Sequence, residues 1–462
     1  MDNPAHRRLF MNIVIAGSGK VGTTLALRLS SEGYDITLID NNHHVLQEVC
    51  EQCDAMGVQG NCASMPVLLQ SGVQEADLLI AATHDDEVNL LCCTTAHGIN
   101  PKLHTIARIR NPEYSQQIHE LKHVFALSLA VNPEKQAAKE IERLLRFPGF
   151  LRRETFAKGR TAIVELRVDE DSKLRGVSLM QLNSIVKCRV LVCAVLRGGN
   201  ALIPRGHFVL EEGDRIYVTA PTENLSILLK NLDIVTRRVR KVLLCGGGGV
   251  SHYLAESLTQ SGISVSLIER NYDRCVQLAT MLPDVSVVHG DATDQNLLES
   301  QGLSDCDALV TMTGLDELNM IISLYGTTKA VPQVITKLGR VENRSISDEL
   351  ALGSVICPRE LCCDDIVRYV RAMEKQSGSA ISVHSIADSQ VEAIEFAVGE
   401  DTLHCNETLK TIKLRSDVLL TSITRGSTSQ IPNGDSSFHA GDTIVVVTNG
   451  RGKLRQLNDI FA

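Results

Sequence analysis

Residues 13–40 read IVIAGSGKVGTTLALRLSSEGYDITLID, and residues 242–269 read VLLCGGGGVSHYLAESLTQSGISVSLIE. Each stretch is an apolar run, a glycine-rich turn, a helical pattern and a second apolar run that ends in a carboxylate. In the first, Gly17, Gly19 and Gly22 follow the strand and open the helix, and Asp40 lies 18 residues beyond Gly22. A dinucleotide-binding turn requires this order. The glycines let the backbone turn tightly and approach a pyrophosphate, the helix start offers unpaired N–H groups, and an acid about 20 residues on takes the ribose hydroxyls. Asn41 and Asn42 follow Asp40 where an Arg or Lys would accommodate a 2′-phosphate, which favours NAD over NADP. The second stretch keeps Gly246 and Gly248, has Ser251 in place of the third glycine, and ends in Glu269-Arg270. The serine is expected to loosen the helix-to-strand contact slightly without removing the anion site. Arg270 could pair with a phosphate and shift the preference toward a different adenine nucleotide.

The correspondence extends well past the two turns. Gly17 maps onto Gly246 and Asp40 onto Glu269 at an offset of 229, while GNCAS (60–64) maps onto GDATD (290–294), Thr83 onto Thr313 and Asn89 onto Asn319 at 230. EEGDRIYV (211–218) maps onto HAGDTIVVV (439–447) at 228. The chain is therefore two copies of one unit, 12–237 and 241–462. In the first copy NIVIAG, DITLID, ADLLIAAT, HTIARI and HVFALS read as strands separated by amphipathic helices, which calls for a parallel sheet with right-handed crossovers. From 161 onward, TAIVELRV, VLVCAVLR and DRIYVTA, separated by RGGN and EEGD, predict a small β-rich module with a helix or two.

The predicted fold class is α/β: two Rossmann-like parallel-sheet lobes, each followed by a small α+β C-terminal lobe. The boundaries fall at 11–132, 133–150 and 151–237, then 241–357, 358–376 and 377–462. The middle segment of each copy is a helix. PEKQAAKEIERLLRF (133–147) puts Ala137, Ala138, Ile141, Leu144 and Leu145 on one face, and PRELCCDDIVRYVRAME (358–374) presents Leu361, Ile366, Val367 and Val370. Either these helices cover their own sheets or they are exchanged onto a neighbouring lobe; the pattern fits both.

At 462 residues the chain is long enough for three or four compact units of about 100 to 200 residues each. A net charge of -9 argues against a nucleic-acid partner, because neutralising phosphates calls for a basic surface. Fourteen scattered cysteines without a secretory leader read as free thiols in a reducing cytosol. The longest apolar runs, such as VLVCAVL at 190–196, fall far short of the ~20 residues that span a bilayer, so a soluble, cytoplasmic protein is expected. Residues 1–10, MDNPAHRRLF, precede Met11 and read as an extension or alternative start.

Other strand-end loops aim at the same crevice. GNCAS and GDATD follow the third strand of each copy, within reach of an adenine. Thr83 and Thr313 end the fourth strand. Asp85, Asp86 and Glu87 read as helix capping and dipole complementation, with metal binding the weaker alternative. Arg108, whose counterpart is Lys337, either faces the ligand phosphates or is a surface residue. Catalytic groupings are scarce. Cys50 and Cys53 form a C-x-x-C inside a helical pattern and read as ordinary thiols, and the adjacent pairs Cys92-Cys93 and Cys362-Cys363 read as packing. There is no H-E-x-x-H and no G-x-S-x-G, so no catalytic residue, no metal site and no enzymatic activity is assigned. The alternative, an NAD-dependent dehydrogenase with a second nucleotide site, needs a proton-transferring group, and its candidates His84 and Cys62 stand alone. A transcription regulator would need a basic reading helix, which the acidic balance disfavours.

Taken together, GSGKVG, Asp40, ARIRNPEY (107–114), IERNYDRC (268–275) and GDATD resemble the TrkA family, the peripheral NAD-binding subunits of bacterial Trk potassium-uptake systems, over residues 11–462. That resemblance implies tandem regulator-of-potassium-conductance (RCK) units, each with a Rossmann-like N-terminal lobe and a ligand-sensing C-terminal lobe. It implies a ring formed by self-association, such as a tetramer of tandem units, beneath a membrane potassium translocator of the TrkH/TrkG kind. The ring would lie at the inner face of the cell membrane and gate the translocator according to bound NAD or NADH, with ATP or ADP in place of it or beside it. The implied contacts are Gly17, Ser18, Gly19, Lys20, Val21, Asp40, Asn61, Cys62, Thr83, His84 and Arg108. In the second unit they are Gly246, Gly247, Gly248, Gly249, Val250, Glu269, Asp291, Ala292, Thr313 and Gly314. Cys62 and Ser251 depart from the family's pattern.

Overall fold

The computed structural model describes residues 11–146, 149–234, 238–340, 350, 352–373, 380–388, 390–449, 454 and 456–462. The ten-residue extension and the segment ends placed at 237, 376 and 377 lie outside them. Two compact units emerge: the chain up to Ala137 together with Pro358–Val367, and Ala138–Cys357 together with Arg368–Ala462.

In the first unit, apolar runs and amphipathic helices alternate as β1 (Asn12–Ala16), α1 (Lys20–Ser31), β2 (Asp35–Asp40), α2 (His43–Gln52), β3 (Ala55–Gln59), α3 (Met65–Gln70), β4 (Leu78–Ala81), α4 (Asp86–Ile99), β5 (His104–Arg108), α5 (Pro112–Leu121) and β6 (Leu129–Val131). The six strands form one sheet in the order β3-β2-β1-β4-β5-β6, and every pairing is parallel. The central strand β4 is buried along its whole length, as a sheet covered on both faces requires. The sixth strand does not begin where HVFALS suggested. Residues after α5 fold back on the helix end, with Val124 N donating to Leu121 O (2.9 Å) and Leu127 N to Lys122 O (2.8 Å), so pairing with β5 starts only afterwards.

The second unit repeats this sheet with β12 (Lys241–Cys245), α9 (Gly249–Gln260), β13 (Ser264–Glu269), α10 (Tyr272–Met281), β14 (Ser286–His289), α11 (Gln295–Ser300), β15 (Ala308–Thr311), α12 (Asp316–Thr328), β16 (Gln333–Lys337) and β17 (Ser354–Ile356). The strand order β14-β13-β12-β15-β16-β17 matches the first sheet position by position. Two antiparallel five-stranded sheets complete the unit. One comprises β7 (Arg152–Phe156), β8 (Thr161–Arg167), β9 (Leu191–Arg197), β10 (Asn200–Leu202) and β11 (Arg215–Pro221), with helices α7 (Leu179–Val186) and α8 (Leu225–Asn231). The other comprises β18 (Ala380–Ile386), β19 (Val391–Ala397), β20 (Val418–Arg425), β21 (Thr428–Gln430) and β22 (Thr443–Thr448). The predicted fold class therefore holds, with four lobes grouped into two units.

The grouping has two physical causes. First, the small lobes share a core: Phe156, Ile163, Cys193 and Tyr217 pack with Ile386, Val391, Ala393, Val445 and Val447. Polar contacts across the same face include Ala157 N to Glu395 Oε1 (3.1 Å) and His384 Nδ1 to Glu154 Oε2 (2.7 Å). Second, the connecting helices are exchanged. In α6 (Pro133–Arg146), Glu142 accepts a hydrogen bond from Ser257 on α9 (2.7 Å), and the Leu144 carbonyl accepts one from Gln333 on β16 (3.0 Å). In α13 (Pro358–Met373), Asp364 pairs with Arg28 on α1 (2.5 Å), and the Cys363 thiol points at the Val21 carbonyl (3.9 Å). On the two apolar stripes Ile141, Leu144, Ile366 and Val370 are all at most 1 % exposed.

One buried carboxyl on α6 gives a pH-dependent expectation. Glu140 is 9 % exposed and lies 3.2 Å from Arg143. Burial, reinforced by the charge of Glu154, raises its pKa against the pull of Arg143 and Arg152. A raised folded-state value means that its stabilising contribution is complete below the unfolded value of about 4.3 and is lost as pH rises through the folded one. Glu140→Gln is therefore expected to raise the thermal midpoint near pH 7 and to give no gain near pH 4. Thermal unfolding at the two pH values checks this.

Candidate functional site

In the first lobe the turn after β1 is built as the glycine spacing requires. Gly17 has φ +100°, and a Cβ there would stand 2.9 Å from the Thr83 backbone; a Cβ on Gly22 would stand 1.8 Å from the Gly17 carbonyl. Around Gly19, by contrast, a Cβ would meet nothing within 4 Å. The start of α1 has no side-chain cap, so its N–H groups face that open space. Ser18 is 1 % exposed, and its hydroxyl has no hydrogen-bond partner among the described residues. A phosphate fits this cradle: it would meet unpaired donors and no side chain. Lys20 and Val21 form the first turn of α1, with Lys20 exposed and Val21 buried.

The acid that ends β2 has a task the sequence did not reveal. Asp40 accepts from Ser18 N (2.6 Å) and Asn42 N (2.8 Å), so its carboxylate braces the glycine turn and aims the remaining lone pairs outward. Glu269 does the same in the second lobe, accepting from Gly247 N (2.6 Å) and Asn271 N (2.7 Å). The longer side chain reaches the equivalent two amides.

Behind the strand ends stands a second brace, again present twice. Asn89 is fully buried; its Oδ1 accepts from Thr83 N (2.9 Å) and Thr83 Oγ1 (2.7 Å), and its Nδ2 donates to the Arg108 carbonyl (2.9 Å). Asn319 makes the same three bonds to Thr313 and Lys337. Asp86 is buried too and accepts from Arg110 N (2.7 Å) and Asn111 N (2.8 Å), while Asp316 accepts from Gly339 N and Arg340 N. Asp86 stands in the first turn of α4, where the dipole reading expects an acid, and it also ties the loop after β5 to the start of α4. Both asparagines served only as markers of the repeat in the sequence. Their invisible role is to hold two strand-end loops at a fixed spacing.

Arg108 is neither a plain surface residue nor free to swing. Its Nη2 donates to the Thr83 carbonyl (2.6 Å), its Nε has no partner among the described residues, and burial, aided by the charge of Arg110, lowers its pKa against the pull of Glu134. Lys337 occupies the equivalent place and donates to the Met312 carbonyl (3.1 Å). Asn61 turns its own loop by accepting from Ala63 N (3.0 Å), Cys62 is buried beneath it, and His84 is exposed beside Thr83.

The second lobe encloses a cavity of about 690 Å³. Gly246, Gly247, Gly248, Glu269, Asp291, Ala292, Thr313 and Gly314 all line it, while Gly249 and Val250 begin the helix behind. Arg270 and Lys337 line it as well. So does a residue the sequence reading missed, Arg274, whose Nε donates to the Gly247 carbonyl (2.8 Å). Its counterpart at the same offset is Val45, and that difference between copies was the available signal. Asp291 is held below its ordinary pKa by hydrogen bonds from Thr293 N and Oγ1. Ser251, expected only to loosen the helix start, is fully buried, and its hydroxyl donates to the Gly246 carbonyl. A methylene that Gly22 could not carry is thus accommodated in the second lobe and tethered. Among the described residues no group of three or more His, Cys, Asp or Glu is placed to hold a metal ion, and no helix is long and apolar enough to cross a membrane.

Comparison with known proteins meets this geometry at both halves. The TrkA-N domain model matches residues 13–129 and 242–358, and the TrkA-C domain model matches 163–233 and 393–462. A Trk system potassium uptake protein TrkA homolog of Archaeoglobus fulgidus is 31% identical over 98% of this chain and 100% of its own length. The Trk system potassium uptake protein TrkA of Halomonas elongata is 29% identical, covering 98% of each chain. Among solved structures, the GsuK channel bound to NAD superposes with a TM-score of 0.60 at 17% identity, over 96% of this chain and 78% of that one. GsuK bound to ADP gives 0.50 at 15% identity, over 79% and 71%. The two fingerprints, the two sheets and the two small lobes therefore have one explanation: the chain belongs to the TrkA family.

Proposed function

We propose that this protein is the regulatory subunit of a Trk-type potassium uptake system and that it binds NAD(H) and ATP or ADP in its two nucleotide lobes. The observation that carries this reading is the duplication, within one chain, of a complete cradle: an uncapped helix start for phosphate and a braced carboxylate for ribose. In this reading the first pocket takes the nucleotide on Gly17 to Val21, Asp40, Asn61, Cys62, Thr83, His84 and Arg108. The second takes it on Gly246 to Val250, Glu269, Asp291, Ala292, Thr313 and Gly314. The lobe boundaries are those given by the repeat: 11–132 and 241–357 for the nucleotide lobes, 151–237 and 377–462 for the small lobes. The first pocket, with Asp40 and no nearby cation on α2, suits NAD or NADH. Arg270, Arg274 and Lys337 suit the second to a nucleotide with more phosphate charge, ATP or ADP.

Regulation is proposed rather than turnover, with the ions moved by a membrane translocator of the TrkH/TrkG kind. The relatives' names describe uptake proteins, and GsuK is a channel solved with NAD and with ADP. Self-association into a ring at the cytoplasmic face of the membrane would convert nucleotide exchange into work on the translocator. A ligand can shift such a gate only by its differential affinity for the two states, typically about 1 to 3 kcal/mol. Potassium flux through a reconstituted Trk-type translocator, with and without this protein, tests the reading. A flux that changes with nucleotide only when the protein is present supports it, and a flux indifferent to the protein overturns it.

A further inference from the structure

The second compact unit holds a cavity that the nucleotide reading leaves unused. Its volume is about 650 Å³, inside the range of roughly 300 to 1,000 Å³ usual for small-molecule sites. Its walls come from β7, β8 and β11 of the first small lobe and from β16 and β17 of the second parallel sheet. Strand β16 begins at Gln333, which lines this cavity, and ends at Lys337, which lines the nucleotide cavity, so the two lie at opposite ends of one strand. The apolar part of the wall includes Phe150, Leu166, Leu174, Leu232 and Leu352, each at most 8 % exposed. Two buried polar side chains interrupt it. Ser354 donates to the Phe150 carbonyl (3.4 Å). Gln333 donates through Nε2 to the Leu144 carbonyl (3.0 Å), but its Oε1 has no partner among the described residues. A buried acceptor without a donor costs free energy, and a donor on a bound molecule would remove that cost.

The charges around the cavity leave one group over. Six ionisable side chains line it: Arg152, Arg167, Arg215, Glu165, Asp169 and Asp171. Arg215 is matched by Glu165 (2.6 Å) and Asp388 (3.3 Å), and Arg152 by Glu154 (2.8 Å). Arg167 has only an ion pair to Asp169 at 3.5 Å and makes no side-chain hydrogen bond among the described residues. Its side chain is 35 % exposed against 73 % for Asp169, and Asp171 is exposed too, so water screens the two acids more than it screens the guanidinium. A carboxylate or sulfonate would gain the bidentate bonds that this fork offers. An inorganic anion would leave the apolar wall facing water, and an uncharged apolar molecule would desolvate Arg167 without pairing it. We propose that this cavity binds an organic anion, with its carboxylate or sulfonate head on Arg167 and its apolar body against Phe150, Leu174 and Leu352.

The test titrates the full chain with 1-anilinonaphthalene-8-sulfonate, an apolar sulfonate whose fluorescence rises as it leaves water. A saturable component is expected whose affinity falls about fivefold or more in Arg167→Gln and is partly recovered in Arg167→Lys. Arg167→Gln gives up one loose surface pair and should fold as the wild type does. Amide hydrogen exchange with the probe bound is expected to show added protection at 149–152 and 331–334. Competition on the wild type needs no variant: indole-3-acetate or decanoate should displace the probe about tenfold more effectively than the uncharged indole-3-acetamide or decanol. Which of the two acids competes tells an aromatic body from an alkyl one, and either supports the proposal. Absence of saturable binding, equal affinity in Arg167→Gln, protection confined to the glycine turns at 17–22 and 246–251, failure of both acids to compete, or displacement by the uncharged counterparts as readily as by the acids overturns it.

Discussion

Asp40→Ala is expected to weaken NAD binding at the first lobe by about 10- to 100-fold, the equivalent of losing charged hydrogen bonds worth about 1.5 to 3 kcal/mol. Two losses combine. The ribose hydroxyls would lose their carboxylate acceptor, and Ser18 N and Asn42 N would lose the group that now holds the glycine turn in place. The second lobe should be untouched, because Glu269 braces its own turn. Asp40→Glu should recover much of the loss, since Glu269 shows that the longer acid reaches the equivalent amides. Calorimetric titration of the three proteins with NAD measures this, and equal affinities for wild type and Asp40→Ala would contradict it.

Gly22→Ala carries the largest expected structural effect. Its Cβ would lie 1.8 Å from the Gly17 carbonyl, a backbone atom that cannot turn aside. Helix α1 and the turn must separate, at a cost of about 3 kcal/mol or more for overpacking of this severity. The first lobe should unfold at lower temperature than the rest of the chain and lose NAD binding. The reverse exchange in the other copy, Ser251→Gly, removes one hydroxyl bond to Gly246 and adds backbone freedom, a change on the order of 1 kcal/mol. Amide hydrogen exchange resolves the two lobes: protection lost across α1 only in Gly22→Ala is the expected pattern.

What could be read from the sequence follows a physical line. Periodicity and glycine spacing are local, and they gave the order of strands, the two turns and the duplication. The misplacement of the sixth strand came from apolar residues in HVFALS that serve a turn against the end of α5. Exchange of the connecting helices was one of two readings because an apolar stripe shows that a helix is covered, not by what. Asn89, Asn319, Asp86 and Asp316 act through contacts to loops about 20 residues away, so nothing in their neighbourhoods announced them. Arg274 was legible only as a difference between the copies, where Val45 stands at the matching position.

The central claim is that nucleotides bound to this chain control a potassium translocator. It is tested most directly by potassium flux in proteoliposomes holding a Trk-type translocator and this protein, measured with NAD, with ADP and without nucleotide, for wild type and for Asp40→Ala/Glu269→Ala. The account predicts a flux that differs between nucleotides for the wild type and no longer differs for the double variant. The same nucleotide dependence in both proteins, or none in the wild type, would contradict it.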